Sequence, residues 1–446
     1  MSLLSSLPRR DFLRMSAGAA VGMGVRLPTT TASESRPGKS VILVNLTGGM
    51  SHLDTLDMKS DAPAEVRGEF KQAATAIAGI QICEHLPQLA ARMKHWALVR
   101  SLSHGEAGHL PGTHRLLTGA TMPNQRGTDL DNVLSRHNWP CYAAGLNQIR
   151  PRHDGIPNGV TLPHALIEGP LTWPGQHAGF LGPANDPMLV TQDPNAPAFR
   201  MDAFTLPANM DPARVDERRG LLERLQSAKG GVAAGFGDHQ RHAFEMLSSG
   251  RVAGAFRLDR EADKVRDRYG RNQFGQSLLL ARRLVQAGVP IIQANMGIVQ
   301  TWDTHHDNWG RLKTRLLPWL DAALAALIDD LEADGLLGQT LVACLGEFGR
   351  TPKISNLPGQ PVPGRDHWAG VYSGLFAGAG VVGGRVIGKS DRVAAHPVSV
   401  AYTPFDVGAT IYQALGVDAD SEIRDTQNRP SRVCTGKPMD VLFQNR

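Results

Sequence analysis

Apolar residues alternate in character along this chain between short β-branched runs and longer stripes of helical period. Residues 40–46, SVILVNL, form a run with no polar break before Asn45 and end in Thr47-Gly48-Gly49, which predicts a buried strand followed by a turn. WALVRSL at 96–102 predicts a second strand, after a helix-like stretch at 85–94. From 274 the two periods alternate clearly. FGQSLLLARRLVQAG predicts a helix ending at Gly288, and VPIIQANM predicts a strand. Leu316, Leu320, Leu324, Leu327 and Leu331 form a stripe within a helix over 311–334, with Gly335 as its stop. TLVACLGEFG and VYSGLFA at 371–377 predict two more strands. Thr403-Pro404 reads as an N-cap with proline at the first helical position, in a helix running to about Leu415. Alternating helices and strands predict an α/β fold with a mostly parallel sheet covered on both faces, and with sites off the carboxyl ends of its strands.

Two stretches depart from this pattern. Residues 120–210 are rich in Pro, Gly, Asn and His, and predict a loop-rich insertion of short elements roofing a site. Residues 212–270 are charged and helical in pattern, interrupted by a glycine-rich patch at 230–237.

Composition narrows the class. The 446 residues are 41% hydrophobic, with 48 glycines and 29 prolines, which excludes collagen, coiled coil and wholesale disorder. No run of 18 apolar residues occurs, so no transmembrane helix is expected. The net charge of +5 is concentrated in residues 1–33, which hold Arg9, Arg10, Arg14 and Arg26 against Asp11. The remainder is nearly neutral and has no basic run interleaved with aromatics, so a nucleic-acid partner is not expected. Four widely spaced cysteines show no CxxC, and Cys344, inside an apolar strand, reads as a buried thiol.

The N-terminal segment PRRDFLRMSAGAAVGMGVRLPTTTAS has twin arginines, then Phe12-Leu13, a weakly apolar Ala/Gly stretch and a small-residue cluster near Ala32. It resembles the twin-arginine leader of bacterial export. The expected organisation is therefore a leader over 1–33 and a single domain over 38–446. The expected partner is the twin-arginine machinery, and the expected location periplasmic or otherwise exported.

Three polar clusters could carry chemistry. Trp302-Asp303-Thr304-His305-His306-Asp307 follows the strand at 290–296, with Glu347 and Asp366-His367 at or after other strand ends. Carboxylates with imidazoles suit Zn²⁺, Mn²⁺ or a similar divalent ion. His104, Glu106, His109, Thr113, His114 and Arg115 lie around a loop-to-helix junction, where a helix N-terminus favours an anion. Gly48-Gly49-Met50-Ser51-His52-Leu53-Asp54 lets backbone approach a ligand. GxGxxG, GxxxxGK[ST] and HExxH do not support a nucleotide or zincin reading here, nor does GxSxG support an esterase elbow.

The segments GGMSHLDTLDMKSDAPAEVRGEF, LPGTHRLLTG, PGQHAGFLGPANDP, WDTHHDNWGRLK, LGEFGRTPKI and GRDHWAGVYSGLFAGAG, in this order, resemble the bacterial family called domain of unknown function 1501. That family stands in the alkaline-phosphatase-like superfamily, beside sulfatases. The resemblance implies an alkaline-phosphatase-like α/β/α sandwich. It also implies a metal-dependent hydrolase of phosphate, sulfate or phosphonate esters, with a small-molecule or glycan ester as substrate. His109-Leu110-Pro111 with Leu116-Leu117-Thr118-Gly119 fits the sulfatase frame C-x-P-S-R-x-x-L-L-T-G. Histidine takes the nucleophile position, and Gly112-Thr113 replaces the Ser-Arg pair. The resemblance thus points to Asp303, His305, Glu347 and His367 as ligands of one divalent ion: zinc first, with manganese or calcium as alternatives. It points to His109, Thr113 and Arg350 as catalytic, His109 being open to ligation, base catalysis or direct attack. The missing hydroxyl or thiol nucleophile leaves a second reading, a non-catalytic binding module for an anionic glycan or an envelope partner.

Overall fold

The structure is a computed structural model describing residues 39–123, 136–169, 171–201 and 251–444, with isolated positions between 214 and 224. The leader expected over residues 1–33 lies outside the described residues, as does most of 202–250. The main sheet comprises β1 (Ser40–Asn45), β2 (Trp96–Leu102), β3 (Gly159–Leu162), β4 (Met188–Leu189), β5 (Ile291–Asn295), β6 (Thr340–Leu345), β7 (Tyr372–Ala377) and β8 (Arg385–Ile387). Their order across the sheet is β8-β2-β7-β6-β1-β5-β3-β4. All pairs are parallel except the two made by β7, which runs antiparallel to β6 and β2.

Central β1 explains the layering. Every residue of β1 is buried, and successive side chains serve opposite faces. Ile42 and Val44 enter a core with helices α3 (Asp263–Tyr269), α4 (Gln273–Gln286) and α5 (Leu317–Ala333). Val41 and Leu43 enter a second core with α1 (His109–Thr118), α2 (Tyr142–Ile149) and α6 (Pro404–Ala414). The result is the expected three-layer α/β/α arrangement.

Local sequence accounts for the main helix ends. Thr403 and Asp406 form a reciprocal capping box on α6, with Pro404 at the first position. Asn272 caps α4 through its side chain. The stripe expected as one helix over 311–334 is preceded by a wider π turn, Leu312–Leu316, before α5 begins. Pro318 has no N–H to continue the regular ladder there, and a π turn absorbs that gap.

The loop-rich stretch departs from expectation in one respect. Within it, GVTL forms β3, all four residues buried between β5 and β4. A four-residue strand buried on both faces shows no alternation to read. All four cysteines are buried and unbridged. Among the described residues no helix is long and apolar enough to cross a membrane.

Candidate metal centre

The site forms where β1, β5 and β6 end side by side. After β1, Gly48 and Gly49 turn with φ of +107° and +82°. A Cβ on Gly48 would meet the Asp303 backbone nitrogen at 2.7 Å, and one on Gly49 the Phe348 ring at 2.7 Å. Glycine is therefore required at both positions by conformation and by space. This close approach brings the loop after β5, which carries Asp303 and His305, against the loop after β6, which carries Glu347. Trp302 N–H donates to the Thr47 carbonyl at 2.8 Å. His109 is the first residue of α1. His367 belongs to a two-stranded ladder, Gly349–Arg350 with His367–Trp368, in which it pairs directly with Arg350.

Three imidazoles converge on Asp303. Its Oδ1 lies 3.1 Å from His305 Nε2 and 3.2 Å from His367 Nε2, and its Oδ2 lies 3.2 Å from His109 Nε2. The Nε2 atoms of His305 and His367 are 2.9 Å apart. Each ring is anchored through its other nitrogen. His109 Nδ1 is 2.8 Å from Glu347 Oε1, His305 Nδ1 is 2.6 Å from Asp366 Oδ1, and His367 Nδ1 is 2.8 Å from the Ala107 carbonyl. Those partners are acceptors only, so each Nδ1 donates, and each Nε2 of a neutral ring presents a lone pair. Buried His109 Nε2 lacks the alignment for a hydrogen bond to Asp303 and has no hydrogen-bonded partner. Three Nε2 atoms around one carboxylate make a place for a cation, filled by ring protons or by a metal ion. Ligand atoms of His109, Asp303 and His367 all fall within 4.8 Å of one another. Histidines pinned by carboxylates or carbonyls behind them are the usual supporting arrangement of metal ligands.

Ring protons and a metal ion compete for that place. Burial alone would lower the His109 pKa, but the Asp303 and Glu347 carboxylates hold it at about 9, so a metal ion would displace a proton from it. His305 is raised, chiefly by Asp303, against its own desolvation. His367 is lowered, chiefly by burial. Burial works to raise the Asp303 pKa, yet the three histidines and Arg350 drive it far below the ordinary carboxylate range.

The expected site residues divide into two groups. Asp303, His305 and His367 meet at one point, joined by His109. Glu347 instead stands behind His109: its oxygens accept the Gly48 N–H at 2.9 and 3.1 Å, and Oε1 also holds His109 Nδ1. Arg350 is fully buried and directed at protein oxygens. Thr113 is buried one turn beyond His109, and none of the hydrogen bonds described above reaches it. His104 and His114 also serve the scaffold, His104 Nε2 at 2.6 Å from the Glu347 carbonyl and His114 between the Ala120 carbonyl and the Trp139 N–H. Trp173, from the loop-rich stretch, was not among the expected residues. Its ring stacks on His109 at 5.2 Å, with Phe348 at 5.1 Å from the same imidazole. An isolated aromatic in a Pro/Gly-rich loop was the only sequence signal for it.

Asp54, after β1, is a separate centre. It accepts from Arg365 Nε at 2.7 Å, Ser51 Oγ at 2.6 Å, Asn308 Nδ2 at 2.9 Å and Trp309 Nε1 at 3.0 Å. It ties the three loops together from beneath.

The sequence profile of the family described as "Protein of unknown function (DUF1501)" matches residues 38–443, and the chain belongs to that family. No curated protein matches. Among solved structures, Ps i-CgsB shares 12% identity over 91% of this chain and 76% of its own, with a TM-score of 0.43. A protein in the alkaline phosphatase superfamily from Vibrio parahaemolyticus shares 11% over 86% and 68%, with a TM-score of 0.37. Alkaline phosphatase from the Antarctic bacterium TAB5 shares 14% over 86% and 99%, with a TM-score of 0.34.

Proposed function

We propose that this protein is an exported, metal-dependent hydrolase of phosphate, sulfate or phosphonate esters, with small-molecule or glycan esters as substrates. The observation that carries the reading is the convergence of three Nδ1-anchored imidazoles on the Asp303 carboxylate. Three nitrogens and one carboxylate suit zinc or manganese better than magnesium or calcium. His109, Asp303, His305 and His367 hold the ion, with Glu347 and Asp366 orienting the rings. A bound divalent ion would supply Lewis acidity toward the ester oxygen and toward a water.

The chain's residues shape the rest. Trp173 and Phe348 shield His109 from solvent, while His305, His367 and Asp366 retain partial exposure and form the open side. A substrate enters from that side. Both nitrogens of His109 face protein carboxylates, so it serves in this reading as ligand, and water is the nucleophile. Thr113 and Arg350 leave the catalytic set.

Elemental analysis of the purified protein, beside turnover of aryl phosphate, aryl sulfate and a phosphonate monoester, tests the proposal. Bound zinc or manganese with chelator-sensitive turnover is expected, and protein that takes up neither metal sinks it. Metal without turnover on any of the three esters favours the second reading, the binding module for an anionic glycan or envelope partner. The observation favouring that module is that position 109 offers neither hydroxyl nor thiol. For export, replacing Arg9 and Arg10 with lysine should strand the protein in the cytoplasm; continued export would refute the twin-arginine route.

A further inference from the structure

We propose that the Arg350 guanidinium occupies a second, oxygen-lined cation position next to the imidazole site, and so restricts the cluster to one metal ion. The inference rests on the metal-centre reading above and specifies its stoichiometry.

Arg350 is 0% exposed. Its Nε donates to the Gly49 carbonyl at 2.8 Å and its Nη2 to the Gly48 carbonyl. Its Nη1 meets Asp303 Oδ1, and the Arg365 carbonyl at 3.4 Å. The lining is thus one carboxylate and three carbonyl oxygens, drawn from the loops after β1 and β5 and from the strand leading to His367. An all-oxygen set of this kind is what Ca²⁺ or Mg²⁺ takes. The lining is also built deliberately. The Gly48 and Gly49 carbonyls reach Arg350 only through left-handed turns that no other residue adopts easily.

Asp303 therefore lies between two cation positions of different character. On one side are imidazole nitrogens, suited to a borderline metal. On the other is a guanidinium that keeps its charge at any working pH and cannot exchange with solvent ions. With that place filled from within the chain, a second divalent ion has neither room nor charge to balance. Because Arg350 pairs with His367 in the same ladder, the fixed cation and a metal ligand are also held in constant register.

The test compares wild type, Arg350→Ala and Arg350→Lys by elemental analysis and thermal melting, each with and without millimolar Ca²⁺ or Mg²⁺. Wild type should gain no ion and show no shift in melting temperature. Arg350→Ala should melt lower, then take up an additional Ca²⁺ or Mg²⁺ and recover part of the loss. Arg350→Lys, which keeps a buried charge, should respond as wild type does. If Arg350→Ala folds only when Ca²⁺ or Mg²⁺ is present during refolding, the proposal stands. If it gains neither ion nor stability, or fails to refold with either cation, the proposal is overturned. Wild type lacking any transition metal would sink the hydrolase reading instead, a result separate from ion uptake by Arg350→Ala.

Discussion

Asp54, fully buried, and Asp303, partly buried, are carboxylates at the same end of the same sheet, in loops that touch, and their neighbours are opposite in kind. Asp54 is met only by donors: a guanidinium, an amide, an indole and a hydroxyl. Asp303 has one guanidinium, and otherwise faces imidazole nitrogens that can exchange a proton for a metal ion, their Nδ1 protons being committed elsewhere. A carboxylate whose lone pairs all meet N–H or O–H groups is part of the scaffold. One met by imidazoles that can give up a proton can become half of a binding site. The same residue type, on adjacent loops, is assigned its role by which atoms its neighbours have left to offer.

The comparison can be broken most forcefully at Asp54. Asp54→Ala leaves Arg365 buried and unpaired, and should lower unfolding free energy by about 3–5 kcal/mol in denaturant titration, with or without metal. A loss that appears only in metal-loaded protein would erase the distinction drawn here. At the other centre, stability should depend on the ion. A chelator should reduce wild-type stability by about 2.7 kcal/mol if the free metal had stood a hundredfold above its dissociation constant, and should leave His367→Ala unmoved. Equal chelator effects on the two proteins would remove His367 from the site.

Glu347→Gln sharpens the contrast more gently. The amide oxygen can still accept the Gly48 N–H, but the charge behind His109 is gone. Metal affinity should fall about 10–100-fold in competition with a chelating dye, with folding retained. Unchanged affinity would return Glu347 to a purely structural role. The smallest effect concerns acid. Burial works to raise the Asp54 pKa, but the charge and hydrogen bonds of Arg365 outweigh it and leave it lowered. A depressed carboxylate stabilises fully above its unfolded value and loses that contribution as pH falls through its folded one. The stability gap between wild type and Asp54→Asn should thus hold constant from neutrality to about pH 5 and narrow only below about 3.9. A gap already closing at pH 6 would contradict the assignment.

Much of the scaffold was legible in the sequence. SVILVNL became β1 because a β-branched run leaves little else to form, and the mostly apolar WALVRSL became β2. The Thr403-Pro404 pair predicted a helix start through capping chemistry that acts locally. The β3 strand was hidden by its length, and the antiparallel run of β7 by the fact that apolar pattern carries no direction. At the site, strand-end position was enough to gather Asp303, His305 and His367. It could not tell whether Glu347 would face the ion or the back of His109, since that depends on where Gly48 points its N–H. Arg350 was read as catalytic, because sequence shows a charge but not the three carbonyls that engage it.

The ladder joining Gly349–Arg350 to His367–Trp368 has a consequence for how this protein tolerates change in length. It divides one excursion of chain into a base and a tip. At the base, a slip of one residue in either strand would turn Arg350 or His367 to the opposite face and part the pair. Beyond the Ser355–Gly364 bridge, residues 358–362 are exposed. Insertions at that tip should be accepted, as they are at most exposed loop ends. Divergent members of a lineage could therefore lengthen or decorate the excursion freely there, while a single-residue deletion within the ladder should disrupt the candidate metal centre.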